Sequence, residues 1–323
     1  LEIEFSGTIS LCGYGEPLLH KDINYISKNI PKPLLLINGK STLERCIEQL
    51  AKNSFENILI TLGFKSSSFE RYIYEFKKKY MINIDIFLES NPLGECGALW
   101  HVKEKLSDNF IFINGDIIFS IDFDRLKSFH ERLCSDLTLV THVSDHPRDS
   151  DLVSAANGTL VNQIYFKDST KNSDNFAYLG NAAIFVIKRF LLEKIDPPNQ
   201  KETKSVFQHI VRKIFELNIN IYSYNTTEYI KDMGTPYRLK IVEKDLLDNK
   251  VESRNYKNKQ KALFLDRDNT LIKCAIGEYI LDENNIEFIT DNINKISHIA
   301  KKYDFVCLVT NQPQNSMGKL SIK

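Results

Sequence analysis

Two isolated aspartates and one constrained lysine are well suited to phosphate chemistry. Lys32 lies between two prolines, which favour an extended loop that holds its ammonium group in place. Asp116 follows an apolar run, and Asp232 lies in a glycine-containing segment. A lysine neutralises phosphate charge, and two converging carboxylates can hold Mg²⁺ together with phosphate oxygens. The pattern predicts a magnesium-dependent phosphate site, although each residue alone also suits an ordinary loop, turn or helix cap.

A second pair of carboxylates lies near the end of the sequence. Asp266 and Asp268 directly follow the apolar run at 262–265. Such a pair suits phosphoryl transfer, because one carboxylate can attack phosphorus while the other protonates the leaving oxygen. Thr310 and Asn311 follow another apolar run and supply a hydroxyl and an amide. The alternative for two aspartates at this spacing is a calcium-binding loop.

Alternating strands and helices must position these residues. Apolar runs typical of buried strands recur along the chain, at 57–62, 84–88, 110–113, 137–143 and 182–187. Amphipathic stretches typical of helices lie between some of them, at 42–53 and 68–80. This alternation predicts βαβ units and a largely parallel sheet, that is, an α/β fold. Open sheets of this kind bind ligands at the carboxyl ends of their strands, which is where Asp116 is expected.

The composition excludes several classes of protein. The chain has 323 residues and is 42% hydrophobic, so a wholly disordered or collagen-like chain is excluded. Its 42 Lys and Arg balance 42 Asp and Glu, which gives no electrostatic basis for binding nucleic acid or an anionic membrane. No apolar run reaches the roughly 20 residues of a membrane span. Cysteines that occur singly are typical of reduced thiols in a cytoplasmic protein.

A change of composition marks a boundary late in the chain. Residues 247–261 are polar and rich in lysine, and a new apolar run begins at 262. We predict a first domain at 27–250, a linker at 251–260 and a second domain at 261–323. Residues 1–26 are predicted to be an atypical separate segment. The first residue, Leu1, is typical of a piece of a longer reading frame.

Four ordered motifs in the first domain resemble those of the sugar-1-phosphate nucleotidyltransferases. They are PKPLL at 31–35, LGECGA at 93–98, NGD at 114–116 and DMGTP at 232–236. The segment HPRDSDLV at 146–153 is most similar to the manno-heptose 1-phosphate guanylyltransferase branch. The resemblance implies a nucleotide-diphospho-sugar transferase-like (Rossmann-like) domain. It also implies that a sugar 1-phosphate attacks the α-phosphorus of a nucleoside triphosphate, GTP favoured, and releases pyrophosphate.

The same resemblance implies roles for individual residues. Lys32 would neutralise phosphate charge, and Asp116 and Asp232 would carry Mg²⁺. Other residues would contact the substrates: Leu93, Gly94 and Gly97 beside the base and ribose, Lys167 at the sugar phosphate, and Gly180 and Asn181 beside the sugar ring. For Lys167 the alternative is a solvated lysine at the end of a strand.

The first 26 residues depart from that family's pattern. The family begins with a strand and a G-x-G-[TS]-R-[LM] loop, whereas here Gly13 and Gly15 are followed by Glu16 and Pro17. The two glycines could imitate the loop, but a glutamate repels a triphosphate and a proline removes one N–H donor. The segment instead resembles the G-x-G-E-P-L-L-H stretch of radical S-adenosylmethionine enzymes. We expect a piece of another domain, joined to a transferase that lacks its first strand and loop; the alternative is a variant loop.

The end of the sequence resembles the start of a haloacid dehalogenase-like phosphatase, in the heptose 1,7-bisphosphate and histidinol-phosphate branch. The resemblance rests on DRDNT at 266–270, YILD at 279–282 and TNQ at 310–312. It implies that Asp266 is the nucleophile and Asp268 the general acid and base, with both binding Mg²⁺. Thr310 would hold the transferred phosphate and Asn311 would contact substrate. The family's later lysine and metal-binding loops have no counterpart, so we expect no catalysis here.

Two functions are compatible with these features. The first is a nucleotidyltransferase that makes a nucleotide sugar, GDP-manno-heptose favoured, fused to a phosphatase-like domain for phosphorylated heptose. Such a protein would serve activated-heptose synthesis for lipopolysaccharide or other surface polysaccharide. The alternative is a catalytically impaired fusion or fragment that only binds nucleotide or a partner protein. The sequence leaves the oligomeric state open, a homo-oligomer included.

Overall fold

The computed structural model describes residues 5–10, 31–63, 66–144, 147, 150–167, 179–199, 205–275 and 278–311. The chain divides into two compact units between Asn255 and Tyr256. None of the described helices is long and apolar enough to span a membrane.

Within the described residues, nine strands of the first unit form one mixed sheet in the order β5-β4-β1-β6-β11-β8-β12-β10-β9. Two smaller pairs, β2 with β3 and β7 with β13, lie outside it. The strands are β1 (Phe5–Ser10), β2 (Leu36–Ile37), β3 (Lys40–Ser41), β4 (Asn57–Leu62), β5 (Asn83–Leu88), β6 (Asn109–Asn114), β7 (Ile117–Ser120), β8 (Leu137–Val143), β9 (Leu152–Ala156), β10 (Leu160–Tyr165), β11 (Leu179–Lys188), β12 (Ile221–Asn225) and β13 (Tyr229–Asp232). Strands β5, β4, β1 and β6 run parallel, and β11 is antiparallel to β6.

Helices cover the sheet on both faces. They are α1 (Thr42–Lys52), α2 (Ser67–Tyr80), α3 (Gly94–His101), α4 (Phe123–Arg132), α5 (Leu191–Lys194), α6 (Arg212–Glu216), α7 (Pro236–Leu247) and α8 (Lys250–Ser253). Alternate residues of β6 show the two faces, because side chains of a strand point to opposite sides. Ile111 and Ile113 belong to one buried cluster, and Phe110 and Phe112 belong to the other.

Strand β1 corrects the interpretation of the N-terminal segment. Residues 1–26 were expected to belong to another domain, yet β1 pairs in parallel with both β4 and β6, with Gly7 opposite Ile58 and Ile111. The expectation is wrong for residues 5–10. The physical reason is that β4 and β6 are separated by one strand position, and β1 satisfies the hydrogen-bonding groups that both present there.

The predicted linker at 251–260 also differs from the structure, because its first residues pack on the first unit. Val251 of α8 is buried. Glu252 accepts hydrogen bonds from Gln49 Nε2 at 2.7 Å and from Ser120 Oγ at 3.1 Å. Asn255 Nδ2 donates to Ser120 Oγ at 3.2 Å. The polar composition of these residues predicted a solvated linker, whereas the side chains involved are hydrogen-bonded to the first unit.

The second unit contains a parallel strand pair connected through a helix. Strand β14 (Ala262–Leu265) pairs with β15 (Phe305–Leu308), and helix α9 (Thr290–Ala300) lies between them in the chain. Ile272 is the one hydrophobic side chain of this unit's described residues that is fully buried. The arrangement is a βαβ unit with little core of its own.

Candidate active site

A short antiparallel strand pair brings Asp116 and Asp232 together. Strands β7 and β13 pair so that Asp232 lies opposite Ile117, and the Met233 N–H donates to the Asp116 carbonyl at 3.1 Å. Burial raises the pKa of Asp116, and the nearby negative charge of Asp232 raises it further. Two carboxylates from distant parts of the sequence therefore share one polar environment, as the sequence predicted.

Lys32 contributes positive charge to this environment. Its charge lowers the pKa of Asp116 and so opposes the rise that burial causes. The residues around it form a 3-10 turn rather than the predicted extended loop, and the Leu35 N–H donates to the Lys32 carbonyl at 3.0 Å. Pro33 fits because the first turn of a helix leaves its N–H groups unpaired. Pro33 and Leu34 are buried, and they anchor the turn.

Asp232 is fixed by two donors that follow it in the chain. Arg238 Nη1 donates to Asp232 Oδ1 at 2.6 Å, and the Gly234 N–H donates to the same oxygen at 2.9 Å. A Cβ at Gly234 would lie 2.9 Å from that oxygen, so the arrangement needs a glycine. Sequence reasoning missed Arg238. The available signal was the Thr-Pro pair at 235–236, because this pair predicts the start of a helix. The first turn of that helix faces back to Asp232.

A buried carboxyl group that the sequence did not indicate interacts with the charge of Asp116. Glu95 Oε1 accepts a hydrogen bond from the Val206 N–H at 2.9 Å, and the side chain of Asn114 also hydrogen-bonds to it. Burial raises the pKa of Glu95 to about 7, and the charges of Asp116 and Asp151 act in the same direction. Asn114 Oδ1 is buried and has no hydrogen-bond partner among the described residues.

An open cleft adjoins Asp232. It is lined by Ile117, His142, Asn181, Ala182, Ala183, Ile230, Lys231, Asp232 and Arg238. An irregularity in β11 exposes Asn181 to this cleft: Ala183 has a φ of 58°, and its N–H donates to Asn181 Oδ1 at 3.1 Å. The structure thus places Asn181 in the same cleft as Asp232.

The remaining predicted substrate residues have local explanations in the structure. Gly94 has a φ of 70°, which favours glycine, and a Cβ at Gly97 would lie 3.1 Å from Leu93 Cβ. A Cβ at Gly180 would lie 3.1 Å from Ser144 Cβ, so close packing accounts for this glycine too. Lys167 is exposed and lies outside the cleft lining. Gly13 and Gly15 lie outside the described residues, and so do positions 146, 148 and 149 of the segment at 146–153.

No group of three or more His, Cys, Asp or Glu side chains in the described residues is arranged to hold a metal ion. Mg²⁺ does not require such a group, since it is commonly bound by one or two carboxylates and substrate phosphates. The adjacent Asp116 and Asp232 fit this requirement. Burial is the main cause of the raised pKa of Asp116, and the negative charge of Asp232, which a cation would offset, raises it further.

The Nucleotidyl transferase family model matches residues 23–249, which is more than half of the chain. The chain belongs to this family. The match includes Lys32, Asp116, Asp232 and the cleft, and it excludes the second unit. The haloacid dehalogenase resemblance of residues 261–323 therefore remains a prediction.

Curated relatives of this nucleotidyl transferase include two kinds of guanylyltransferase. The mannose-1-phosphate guanyltransferase of Yarrowia lipolytica is 23% identical over 233 residues, covering 71% of this chain and 61% of the relative. The D-glycero-alpha-D-manno-heptose 1-phosphate guanylyltransferase of Aneurinibacillus thermoaerophilus is 26% identical over 231 residues, covering 71% of this chain and 94% of the relative. The chain thus spans less than two thirds of the fungal protein.

Solved structures share the fold of the nucleotidyl transferase unit. HddC of Yersinia pseudotuberculosis superposes with a TM-score of 0.59 at 23% identity, covering 75% of this chain and 99% of HddC. The same protein has been solved in complex with GMP-PN, and that structure superposes with a TM-score of 0.57. These similarities show a nucleotide-diphospho-sugar transferase-like α/β fold.

Outside the nucleotidyl transferase match, the second unit brings its predicted residues to two neighbouring strand ends. Asp266 directly follows β14, and Thr310 and Asn311 lie just after β15. The Val309 N–H donates to the Leu265 carbonyl at 2.8 Å. Arg267 forms a bidentate ion pair with Asp268, at 2.7 and 3.0 Å.

Proposed function

We propose that the chain transfers a guanylyl group from GTP to a sugar 1-phosphate, preferably a manno-heptose 1-phosphate, and releases pyrophosphate. The observation that carries the proposal is the convergence of Asp116 and Asp232 at one strand pair, with their charges and that of Lys32 interacting, within a nucleotidyl transferase fold. The guanylyltransferase names of the relatives support GTP as the donor. Coverage of 94% of the manno-heptose enzyme, against 61% of the mannose enzyme, supports the heptose acceptor.

The reaction needs positioning and charge neutralisation more than covalent catalysis. An oxygen of the sugar phosphate attacks the α-phosphorus of GTP, the bond to the β-phosphate oxygen breaks, and pyrophosphate leaves with that electron pair. Negative charge accumulates on the phosphates, and Lys32 is placed to neutralise part of it. Asp116 and Asp232 would hold Mg²⁺, which when bound would neutralise phosphate charge and orient the oxygens.

The residues expected to contact substrate keep these roles as proposals. The segment containing Leu93, Gly94 and Gly97 lines the base and ribose, and Asn181 faces the sugar from the cleft. Gly180 would lie beside the sugar ring with Asn181, Lys167 would approach the sugar phosphate, and Gly13 and Gly15 would imitate the triphosphate loop. Activated-heptose synthesis for lipopolysaccharide or another surface polysaccharide is the process such a product would serve.

The test measures pyrophosphate release with GTP and D-glycero-α-D-manno-heptose 1-phosphate, in parallel with mannose 1-phosphate and with other nucleoside triphosphates. Asp116→Asn and Asp232→Asn are expected to lower kcat by about 10²- to 10³-fold, the effect of losing one charge-stabilising group. Asp85→Asn is the matched control, because Asp85 is an exposed carboxylate of the same unit. Full activity in Asp116→Asn would contradict the proposal, and faster turnover of mannose 1-phosphate would contradict the heptose preference.

A second role is supported by the strand ends of the second unit. Asp266 and Thr310 follow adjacent parallel strands, which is the placement expected of a haloacid dehalogenase-like phosphate site. We propose that this unit binds phosphorylated heptose there, with Asn311, and does not hydrolyse it. The carboxylate of Asp268 is engaged by Arg267, which opposes its use as a proton donor. Release of phosphate from heptose 1,7-bisphosphate that is lost in Asp266→Asn would contradict this proposal.

A further inference from the structure

The cleft beside Asp232 contains more cationic than anionic side chains. Lys231 and Arg238 line it together with Asp232, so its lining has a net positive charge. The other polar groups are the imidazole of His142 and the amide of Asn181. This composition suits an anion that also carries hydroxyl groups, because the cations neutralise the anion and the neutral polar groups hydrogen-bond to hydroxyls.

Arg238 is held in a defined position at the edge of this cleft. Its backbone N–H donates to Thr235 Oγ1 at 3.2 Å, which fixes the first turn of α7. Its side chain is 20% exposed, and Nη1 contacts Asp232 at 2.6 Å. A guanidinium carries five N–H donors in a planar fork, so it can contact a carboxylate and a phosphate at the same time. The ion pair with Asp232 therefore holds the guanidinium group of Arg238 in an orientation that can bind a second anion.

Two cationic groups interact with different carboxylates of the pair. Lys32 acts on Asp116, whereas Arg238 contacts Asp232. The proposed transfer joins two phosphates, one from the nucleotide and one from the acceptor, and each needs charge neutralisation. The cleft that Arg238 lines is also lined by His142 and Asn181, whose side chains suit hydrogen bonds to sugar hydroxyls.

We propose that Lys231 and Arg238 bind the phosphate group of the sugar 1-phosphate, and that His142 and Asn181 face its hydroxyl groups. The identity of this ligand rests on the proposed function. Arg238 then has two roles, as the partner of Asp232 and as a direct ligand of the acceptor phosphate. Lys231 adds a second positive charge on the neighbouring residue of β13.

Calorimetric titration of the whole chain, without GTP, tests the anion site directly. Mannose 1-phosphate, inorganic phosphate and free mannose are the probes. Arg238→Gln should weaken binding of mannose 1-phosphate by about 10- to 100-fold, and Lys231→Gln by about 3- to 10-fold. Arg238→Lys should fall between wild type and Arg238→Gln, since lysine keeps the charge without the fork. Lys240→Gln, an exposed lysine of α7, is the matched control and should change nothing.

Three results of the titrations would decide the proposal. Parallel weakening for mannose 1-phosphate and inorganic phosphate, with free mannose unaffected, supports recognition of the phosphate group. Unchanged affinity in Arg238→Gln overturns it. Weakening of free mannose to the same extent also overturns it, because the residue would then act on the sugar or on the shape of the cleft.

A second experiment separates direct binding from the positioning of Asp232. If Arg238 acted only through Asp232, Arg238→Gln would have no further effect in the Asp232→Asn chain. We expect a further weakening of mannose 1-phosphate binding of about 10-fold in that background. In the active chain, Arg238→Gln should raise the KM for the sugar phosphate while the KM for GTP stays within about 2-fold. An equal rise in both KM values would overturn the proposal, whereas normal phosphate binding without any turnover would overturn only the transferase function.

Discussion

The two units each present a pair of aspartates at the ends of strands, but they surround them differently. In the first unit, Asp116 and Asp232 come from distant segments and are joined by a strand pair, and burial and mutual repulsion raise the pKa of Asp116. In the second unit, Asp266 and Asp268 are local neighbours, and Arg267, the residue between them, neutralises Asp268.

This difference follows from what covers the strands. The sheet of the first unit is packed on both faces, so its strand ends form a partly desolvated edge where charges interact strongly. The strands of the second unit leave large apolar side chains in solvent, and Phe264 is 67% exposed. Two similar pairs of carboxylates therefore interact with neighbouring charges to different extents, because the surrounding core determines how strongly water screens those charges.

The cores of the two units should respond very differently to loss of a phenylalanine side chain. Phe112 is fully buried and contacts Phe185, with ring centroids 6.0 Å apart. Phe112→Ala should lower the free energy of unfolding of the first unit by about 3–5 kcal/mol. Urea unfolding followed by fluorescence measures this, since the single tryptophan, Trp100, lies in that unit. Phe264→Ala should change the stability of the second unit by no more than about 0.5 kcal/mol, and hydrogen exchange in β14 and β15 measures that.

The second prediction concerns pH, because Glu95 carries a raised pKa of about 7. A carboxyl with a raised folded-state pKa favours the folded state when protonated. Its stabilising effect is complete below the unfolded-state pKa, near 4.5, and is lost as pH rises through about 7. Across that window the free energy of unfolding should fall by up to about 3 kcal/mol in the wild type. Glu95→Gln should remove this slope, and urea midpoints at pH 5, 6, 7 and 8 measure it; equal slopes in both chains would contradict the assignment.

The third prediction tests the close approach at Asp232. A Cβ at Gly234 would lie 2.9 Å from Asp232 Oδ1, so Gly234→Ala must displace the carboxylate or the Arg238 contact. We expect kcat for pyrophosphate release to fall by about 10- to 100-fold, the range expected when a charge-stabilising group is misplaced. Gly158→Ala is a control for loss of a glycine, since a Cβ there meets no atom within 4 Å, although its positive φ costs some stability. Equal losses of activity in both variants would indicate a general folding defect.

Much of the fold could be predicted because hydrophobic periodicity is a local signal. The runs at 57–62 and 137–143 coincide with β4 and β8, and the amphipathic stretch at 68–80 lies within α2. Strand β1 was not predicted because the residues that follow it resemble those of another protein family. Helix α8 was missed because Val251 is its one buried residue and its other contacts are polar. Composition does not distinguish a paired polar side chain from a solvated one.

The candidate site was predictable where a residue follows a strand and not where it depends on tertiary contact. Asp116 was identified because its position after a strand-like run is visible in the sequence, and Asp232 because it lies in a glycine-containing segment. Glu95 was missed because its burial depends on Val206, which is distant in the sequence. Arg238 was missed because its role depends on the direction of a helix turn rather than on hydrophobic pattern.

The ion pair between Arg267 and Asp268 should contribute little to the stability of the second unit. Arg267 and Asp268 are neighbours in a partly exposed ion pair, so Arg267→Gln should cost less than about 1 kcal/mol, as measured by hydrogen exchange of β14 and β15. Lys273→Gln, which breaks the exposed pair with Glu287, is the matched control and should have a similar effect. A loss of more than about 2 kcal/mol in Arg267→Gln alone would mean that Asp268 is a buried charge left without its partner. The carboxylates of the second unit would then resemble those of the first, and the two units would not differ in how far water screens these charges.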